Sequence, residues 1–159
     1  MLFRSLPEFP ARYALRWNFR NTRRIADLLR RLGGGGGADS IEVEPHPDAP
    51  EGEPVVVHEK ESPARTRRQL EEVIRRLLRD GVEPDWIAVL TPHRRENNSL
   101  AGVSELAGLR LAEDPLERKG ALLHTTFWSF KGLEAEIVLL VDVDPLDPRC
   151  NRAARYVAA

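Results

Sequence analysis

The sequence predicts an α/β fold with a mainly parallel sheet flanked by helices, and two observations carry that prediction. Three apolar runs, Trp86–Leu90, Ala121–Phe127 and Ile137–Val143, lack the polar alternation of a half-exposed strand. Such runs suit strands covered on both faces, as in a parallel sheet between helices. Ahead of them stand two stripes with helical spacing, so strand and helix signals alternate along the chain.

The first stripe is Ile25, Leu28, Leu29 and Leu32, at i, i+3, i+4 and i+7, and Asn21 or Thr22 can cap its start. Gly33–Gly37 ends it with residues free to take left-handed conformations. No lysine follows those glycines, so they are not a phosphate-binding loop. Residues 33–54 then read as a flexible, acidic, Gly/Pro-rich connection, and Val55, Val56 and Val57 as a short buried strand. Ser62 and Pro63 suit the cap and first position of a second helix. Its stripe is Leu70, Val73, Ile74, Leu77 and Leu78, and Gly81 suits its end. Glu71 with Arg75, and Glu72 with Arg76, add pairs on its exposed side.

At 159 residues and 42% hydrophobic, the chain can bury one core, which gives a single domain over 1–159. The net charge of -1 conceals a segregation. Seven arginines (Arg12, Arg16, Arg20, Arg23, Arg24, Arg30 and Arg31) precede a stretch from Asp39 to Glu61 with eight acids and only Lys60 opposing them. An anion-binding surface is therefore local rather than general. The single Cys150 excludes an internal disulfide and a cysteine-clustered zinc site, which fits a reducing compartment. His46, His58, His93 and His124 show no metal-ligand spacing. The amino-terminal segment carries Arg4, Glu8 and two prolines where a signal peptide needs an apolar stretch, and no run reaches the roughly 20 residues of a membrane span. The expectation is a cytoplasmic protein with no membrane partner.

In open parallel sheets the ligand site lies outside the carboxyl ends of the strands. That rule points to Thr91–Arg95, Trp128–Glu134 and Asp142–Asp144. The densest cluster of unusual choices there is Ser129-Phe130-Lys131-Gly132-Leu133-Glu134. It offers a cation for phosphate, a close backbone approach, and a carboxylate for a ribose hydroxyl or a water. A polar loop with a turn glycine is the plainer reading. A second cluster, Trp17-Asn18-Phe19-Arg20-Asn21-Thr22, opens the first helix. An aromatic there can stack on a base and the next arginine can fork onto a phosphate, or Phe19 can be core and the arginines a solvated face.

Together the two clusters resemble, in order, two motifs of UvrD/Rep-like superfamily-one DNA helicases. Asn18-Phe19-Arg20-Asn21-Thr22 resembles Asn-Tyr-Arg-Ser/Thr, and Thr126-Phe127-Trp128-Ser129-Phe130-Lys131-Gly132-Leu133-Glu134 resembles Thr-x-His-x-x-Lys-Gly-Leu-Glu. Both belong in that family to the second RecA-like domain, and the resemblance spans about Phe9 to Ala159. It implies a RecA-like (P-loop NTPase-type) fold. It implies that Phe19 stacks on adenine, that Arg20 reaches the γ-phosphate as the catalytic electrostatic finger, and that Lys131, Gly132 and Glu134 complete the nucleotide side. Thr126 and Trp128 stand where the family contacts single-stranded DNA, and Thr91 to Arg94, with His93 between them, form a second DNA loop. Trp128 stands in place of a histidine and Phe19 in place of a tyrosine. Tyr156-Val157-Ala158-Ala159 resembles the start of a last motif whose Ser-Arg pair would come next.

The implied cofactor is ATP with Mg2+, shared with an N-terminal RecA-like domain of a parent chain. The sequence has no Gly-x-x-x-x-Gly-Lys-Ser/Thr and no assignable magnesium-binding acids, so this segment is expected to bind no nucleotide and to hydrolyse none alone. Asp142 and Asp144 read as strand-end and turn residues. The span from Thr91 to Thr126 leaves no room for a large inserted subdomain. The expectation is a C-terminal motor domain of an ATP-dependent DNA helicase or translocase. A RecA-like scaffold module without ATP chemistry is the alternative, and a nuclease lacks a metal-binding carboxylate set.

Overall fold

A computed structural model describes residues 17–18, 21–32, 44–58, 62–144 and 146–150. Phe19, Arg20, the Gly33–Gly37 stop, the side chain of Leu32 and the Tyr156–Ala159 segment lie outside the described residues. The chain divides into two compact units, 1–55 and 56–159.

In the first unit, strand β1 (Trp17–Asn18) pairs in parallel with β2 (Glu44–Pro45), and helix α1 spans Arg23–Leu32. Thr22 is the residue that caps α1, its hydroxyl accepting from the Ile25 N–H at 3.5 Å. Residues 44–53, expected within a flexible connection, are instead held against α1. The Arg23 backbone N–H donates to Pro50 O at 2.9 Å, its guanidinium donates to Ala49 O at 2.9 Å and to Pro47 O, and Arg24 pairs with Glu51 at 2.7 Å. The segregated charges therefore meet: the arginine-rich helix uses part of its charge on the acidic stretch that follows it.

The second unit begins with helix α2 (Pro63–Arg79), with Ser62 at its N-cap and Pro63 in its first turn. Its end is a Schellman turn in which the Gly81 N–H donates to Leu78 O at 3.2 Å and the Val82 N–H to Leu77 O at 3.0 Å. The pair Arg75 to Glu71 closes at 2.7 Å. A five-stranded sheet follows, ordered β4-β5-β6-β3-β7. Its members are β3 (Ile87–Thr91), β4 (Glu105–Leu106), β5 (Leu109–Ala112), β6 (Leu122–Thr126) and β7 (Ile137–Leu140). Only the β4–β5 hairpin is antiparallel, so the sheet is mostly parallel, as its unalternated apolar strands predict.

The strand pleat sorts β3 between two cores. Ile87 and Val89 pack with Leu70 and Ile74 of α2, Leu106, Leu111, Leu122 and Val141. Ala88 and Leu90 pack on the other side with Leu123, Phe127, Phe130 and Cys150. Among the described residues, the second face is covered by the turn after β6 and by the chain near Cys150.

Two further expectations are corrected. Trp86 is not in β3; it closes a short 3-10 turn, Pro84–Trp86, and is exposed, because Pro84 starts a turn that delays the strand. Val55–Val57 form no strand among the described residues, and Val57 is 81% exposed. β-branched residues favour a pleated surface with neighbours, and without a pairing strand that preference has nothing to act on. Among the described residues, no helix is long and apolar enough to cross a membrane.

Candidate nucleic-acid interface

Because β3, β6 and β7 run parallel, their carboxyl ends share one edge, and the three segments named by the strand-end rule all emerge there. The Phe127 N–H donates to Thr91 O at 3.1 Å, which ties the turn after β6 to the end of β3. The loop after β3 and the Thr126–Trp128 turn consequently stand side by side.

The loop after β3 is built on buried polar groups. Thr91 is 1% exposed, and its hydroxyl donates to His93 O at 2.7 Å. The Asn98 side-chain amide donates to the Thr91 hydroxyl at 3.1 Å and to His93 O at 3.3 Å, while its Oδ1 accepts from the Leu100 N–H at 2.8 Å. Arg67 of α2 donates to Ser99 O and, at 3.1 Å, to Ala101 O. Asp142, at φ 58° just beyond β7, accepts from the Ser99 N–H at 2.7 Å and from the Ser99 hydroxyl. Asp142 thus acts as a strand-end residue that anchors a loop. Thr91 likewise supports the loop from below and does not present a side chain at its surface.

His124, on β6, lies beneath this loop at 2% exposure. Its Nε2 is 3.4 Å from the Asn98 amide nitrogen, and its Nδ1 has no hydrogen-bond partner. As the amide can only donate, Nε2 accepts and the orphan Nδ1 carries the proton. Burial, reinforced by the nearby Arg95 charge, pulls the imidazole down to a pKa of about 4, so it is neutral at ordinary pH.

Two adjoining depressions open on the edge and share Arg94 and Thr126. The larger, about 430 Å3, is floored by Thr91 and His124 and rimmed by charges of both signs: Arg94 and Arg95 against Glu96 and Glu113. Arg95 and Glu113 pair there at 2.7 Å. The smaller, about 310 Å3, is lined by Pro92, Arg94, Asn97, Thr126, Trp128 and Arg149, with two cations and no carboxylate. Trp128 is 51% exposed. Its turn is fixed from within: the Thr126 hydroxyl accepts from the Ser129 N–H at 3.2 Å, and the Phe130 N–H donates to Thr126 O at 3.0 Å, while Phe127 and Phe130 are buried. The alternation of buried phenylalanines and exposed Trp128 aims the indole outward.

His93 is engaged at both ring nitrogens. Nε2 lies 2.6 Å from an Asp147 carboxylate oxygen, and Nδ1 lies 2.7 Å from an Arg149 guanidinium nitrogen. Asp147 is held below the usual carboxylate range, mainly by the Arg149 backbone N–H and also by His93.

Lys131, Gly132 and Glu134 follow in one turn, with both ionic side chains exposed. Gly132 has φ 84°, and a Cβ there would meet nothing within 4 Å. The turn therefore needs glycine for its left-handed backbone, not for a close approach within this chain. The geometry brings the expected DNA-binding residues to one edge; of the expected nucleotide-binding residues, Phe19 and Arg20 lie outside the described residues, and only Lys131, Gly132 and Glu134 are described. An exposed lysine beside a left-handed glycine is chemically suited to phosphate. Among the described residues no three acids, histidines or cysteines converge as ligands for a cation.

Sequence reasoning did not single out Arg149, Asn98 or the structural use of His124. A histidine inside the apolar run Ala121–Phe127 is a signal that could have flagged the last. The fold and this edge define an α/β domain with a cationic, aromatic-bearing surface at the carboxyl side of a parallel sheet. Compared with known families and curated proteins, the chain matches no family model and no curated sequence.

Proposed function

We propose that the chain is the second RecA-like domain of a UvrD/Rep-like superfamily-one DNA helicase, serving as a C-terminal motor domain that contacts single-stranded DNA. The observation that carries this reading is the smaller depression at the strand edge. Arg94 and Trp128, brought together from two loops on either side of Thr126, offer a cation and an exposed indole on one surface. Such surfaces bind single strands through phosphate charge and sequence-tolerant stacking.

ATP with Mg2+ supplies the driving chemistry when held between this domain and an N-terminal partner domain. Phe19 would stack on the base, Arg20 would stabilise charge at the γ-phosphate, and Lys131 and Glu134 would flank the nucleotide. Domain closure would carry the Thr91–Arg94 loop and the Thr126–Trp128 turn together along the strand, since they are hydrogen-bonded to each other.

Two measurements test the reading. With the chain itself, titration of a fluorescent oligothymidylate should bind through Trp128, and Trp128→Ala should cost about 1–3 kcal/mol of affinity. Unchanged affinity would remove Trp128 from the interface. In the parent protein, Arg20→Ala should abolish DNA-stimulated ATPase while leaving DNA binding largely intact. Normal turnover in that variant would sink the assignment.

A further inference from the structure

The geometry points to Arg149 as a preset phosphate-binding residue of this interface, gripping the backbone of a single strand beside a base stacked on Trp128. The inference rests on the DNA-binding reading above and adds a contact from a third segment, beyond β7.

Arg149 sits in a short 3-10 turn, Pro148–Cys150, fastened on both sides. Cys150 is fully buried in the second core, and its N–H donates to Asp147 O at 2.9 Å. The Arg149 N–H itself donates to the Asp147 carboxylate at 2.8 Å. The backbone that carries the guanidinium is therefore fixed before any ligand arrives.

The side chain is positioned as well. A guanidinium can only donate, so His93 Nδ1 accepts from Arg149 at 2.7 Å, and Nε2 carries the proton toward Asp147 at 2.6 Å. Asp147 is thus spent on His93 and on the turn backbone. Among the described residues no carboxylate pairs with the Arg149 guanidinium, whereas Arg95 is paired with Glu113. One guanidinium nitrogen rests on His93, and the remaining N–H groups are available to an acceptor in the smaller depression. That depression also presents Arg94 and the Trp128 indole and has no carboxylate in its lining. The Asp147 charge also acts on Arg149, but through space, and leaves the planar fork without a carboxylate hydrogen-bonded to it; such a fork next to an exposed aromatic suits a phosphodiester followed by a base.

The test uses the full chain and oligothymidylates, titrated across a range of salt concentrations. Arg149→Gln should weaken binding about 3- to 10-fold and reduce the salt slope by about 0.7, the value for losing one phosphate contact on a single strand. Arg149→Lys should restore the slope. A scan of oligonucleotides, each with one methylphosphonate in place of a phosphate, should find one position that weakens the wild type but not Arg149→Gln. If affinity falls in Arg149→Gln with the salt slope unchanged, the residue is structural and the proposal is overturned. If Trp128→Ala weakens binding but Arg149→Gln changes neither affinity nor slope, Arg149 has no part in an interface that still stands. Failure of the wild-type chain to bind any oligonucleotide would overturn both.

Discussion

His124 illustrates how one residue can make stability depend on pH. Its imidazole is buried and held neutral, so the folded chain binds that proton more weakly than the unfolded chain does. From pH 6.5 down to about 4 the unfolded state takes up a proton that the folded state refuses, and stability falls as pH falls through that window. The full effect is on the order of 3 kcal/mol. Urea unfolding at pH 7 and at pH 4.5 should show the wild type losing more stability than His124→Gln. An equal loss in both proteins would mean that the imidazole is not the titrating group. The orphan Nδ1–H adds a standing cost of about 1–3 kcal/mol, which the glutamine variant can also relieve.

At the scale of elements, glycines separate close packing from backbone conformation. Gly52 has φ 75°, and a Cβ there would run into the Thr22 side chain that caps α1. Gly52→Ala therefore meets both a left-handed backbone and a steric clash, and should cost more than about 1 kcal/mol. Faster hydrogen exchange at the Ile25 and Ala26 amides, which open onto that cap, is the expected readout; unaltered exchange would show that the 44–53 segment does not hold α1. Helix α2 shows the opposite case. Its proline start, apolar stripe and glycine stop all agree, so its boundaries were legible in the sequence. The Val55–Val57 run was misread because its local preference had no partner strand to realise it.

On the scale of the whole molecule, the two apolar cores found among the described residues lie within residues 56–159. The described residues of the first unit form one ten-residue helix and a pair of two-residue strands. A fragment covering 56–159 should therefore unfold cooperatively with a melting temperature within a few degrees of the full chain's second unit, as followed by circular dichroism. Loss of cooperativity in 56–159 would mean that its cores are incomplete.

The sequence by itself determined the α/β class, helix α2, the buried strands β3 and β6 and the edge where loops gather, whereas β7, expected to be covered on both faces, is a half-exposed strand at the sheet's edge. Those follow from periodicity and from parallel strands sharing one direction, both of which are local or nearly local properties. Arg94 and Trp128 were legible as candidates for the same reason, each lying past a strand end, whereas Thr126, the last residue of β6, was a candidate only through the motif resemblance. Only the tertiary structure decided that Thr91 and Asn98 support a loop from below, that His124 is a buried neutral base, and that 44–53 is pinned to α1. It also decided that Arg149 comes to rest on His93. Most of these are contacts between residues far apart in the chain, and their geometry is set by sheet register and by which buried donors still need an acceptor, neither of which leaves a period or a spacing in the sequence.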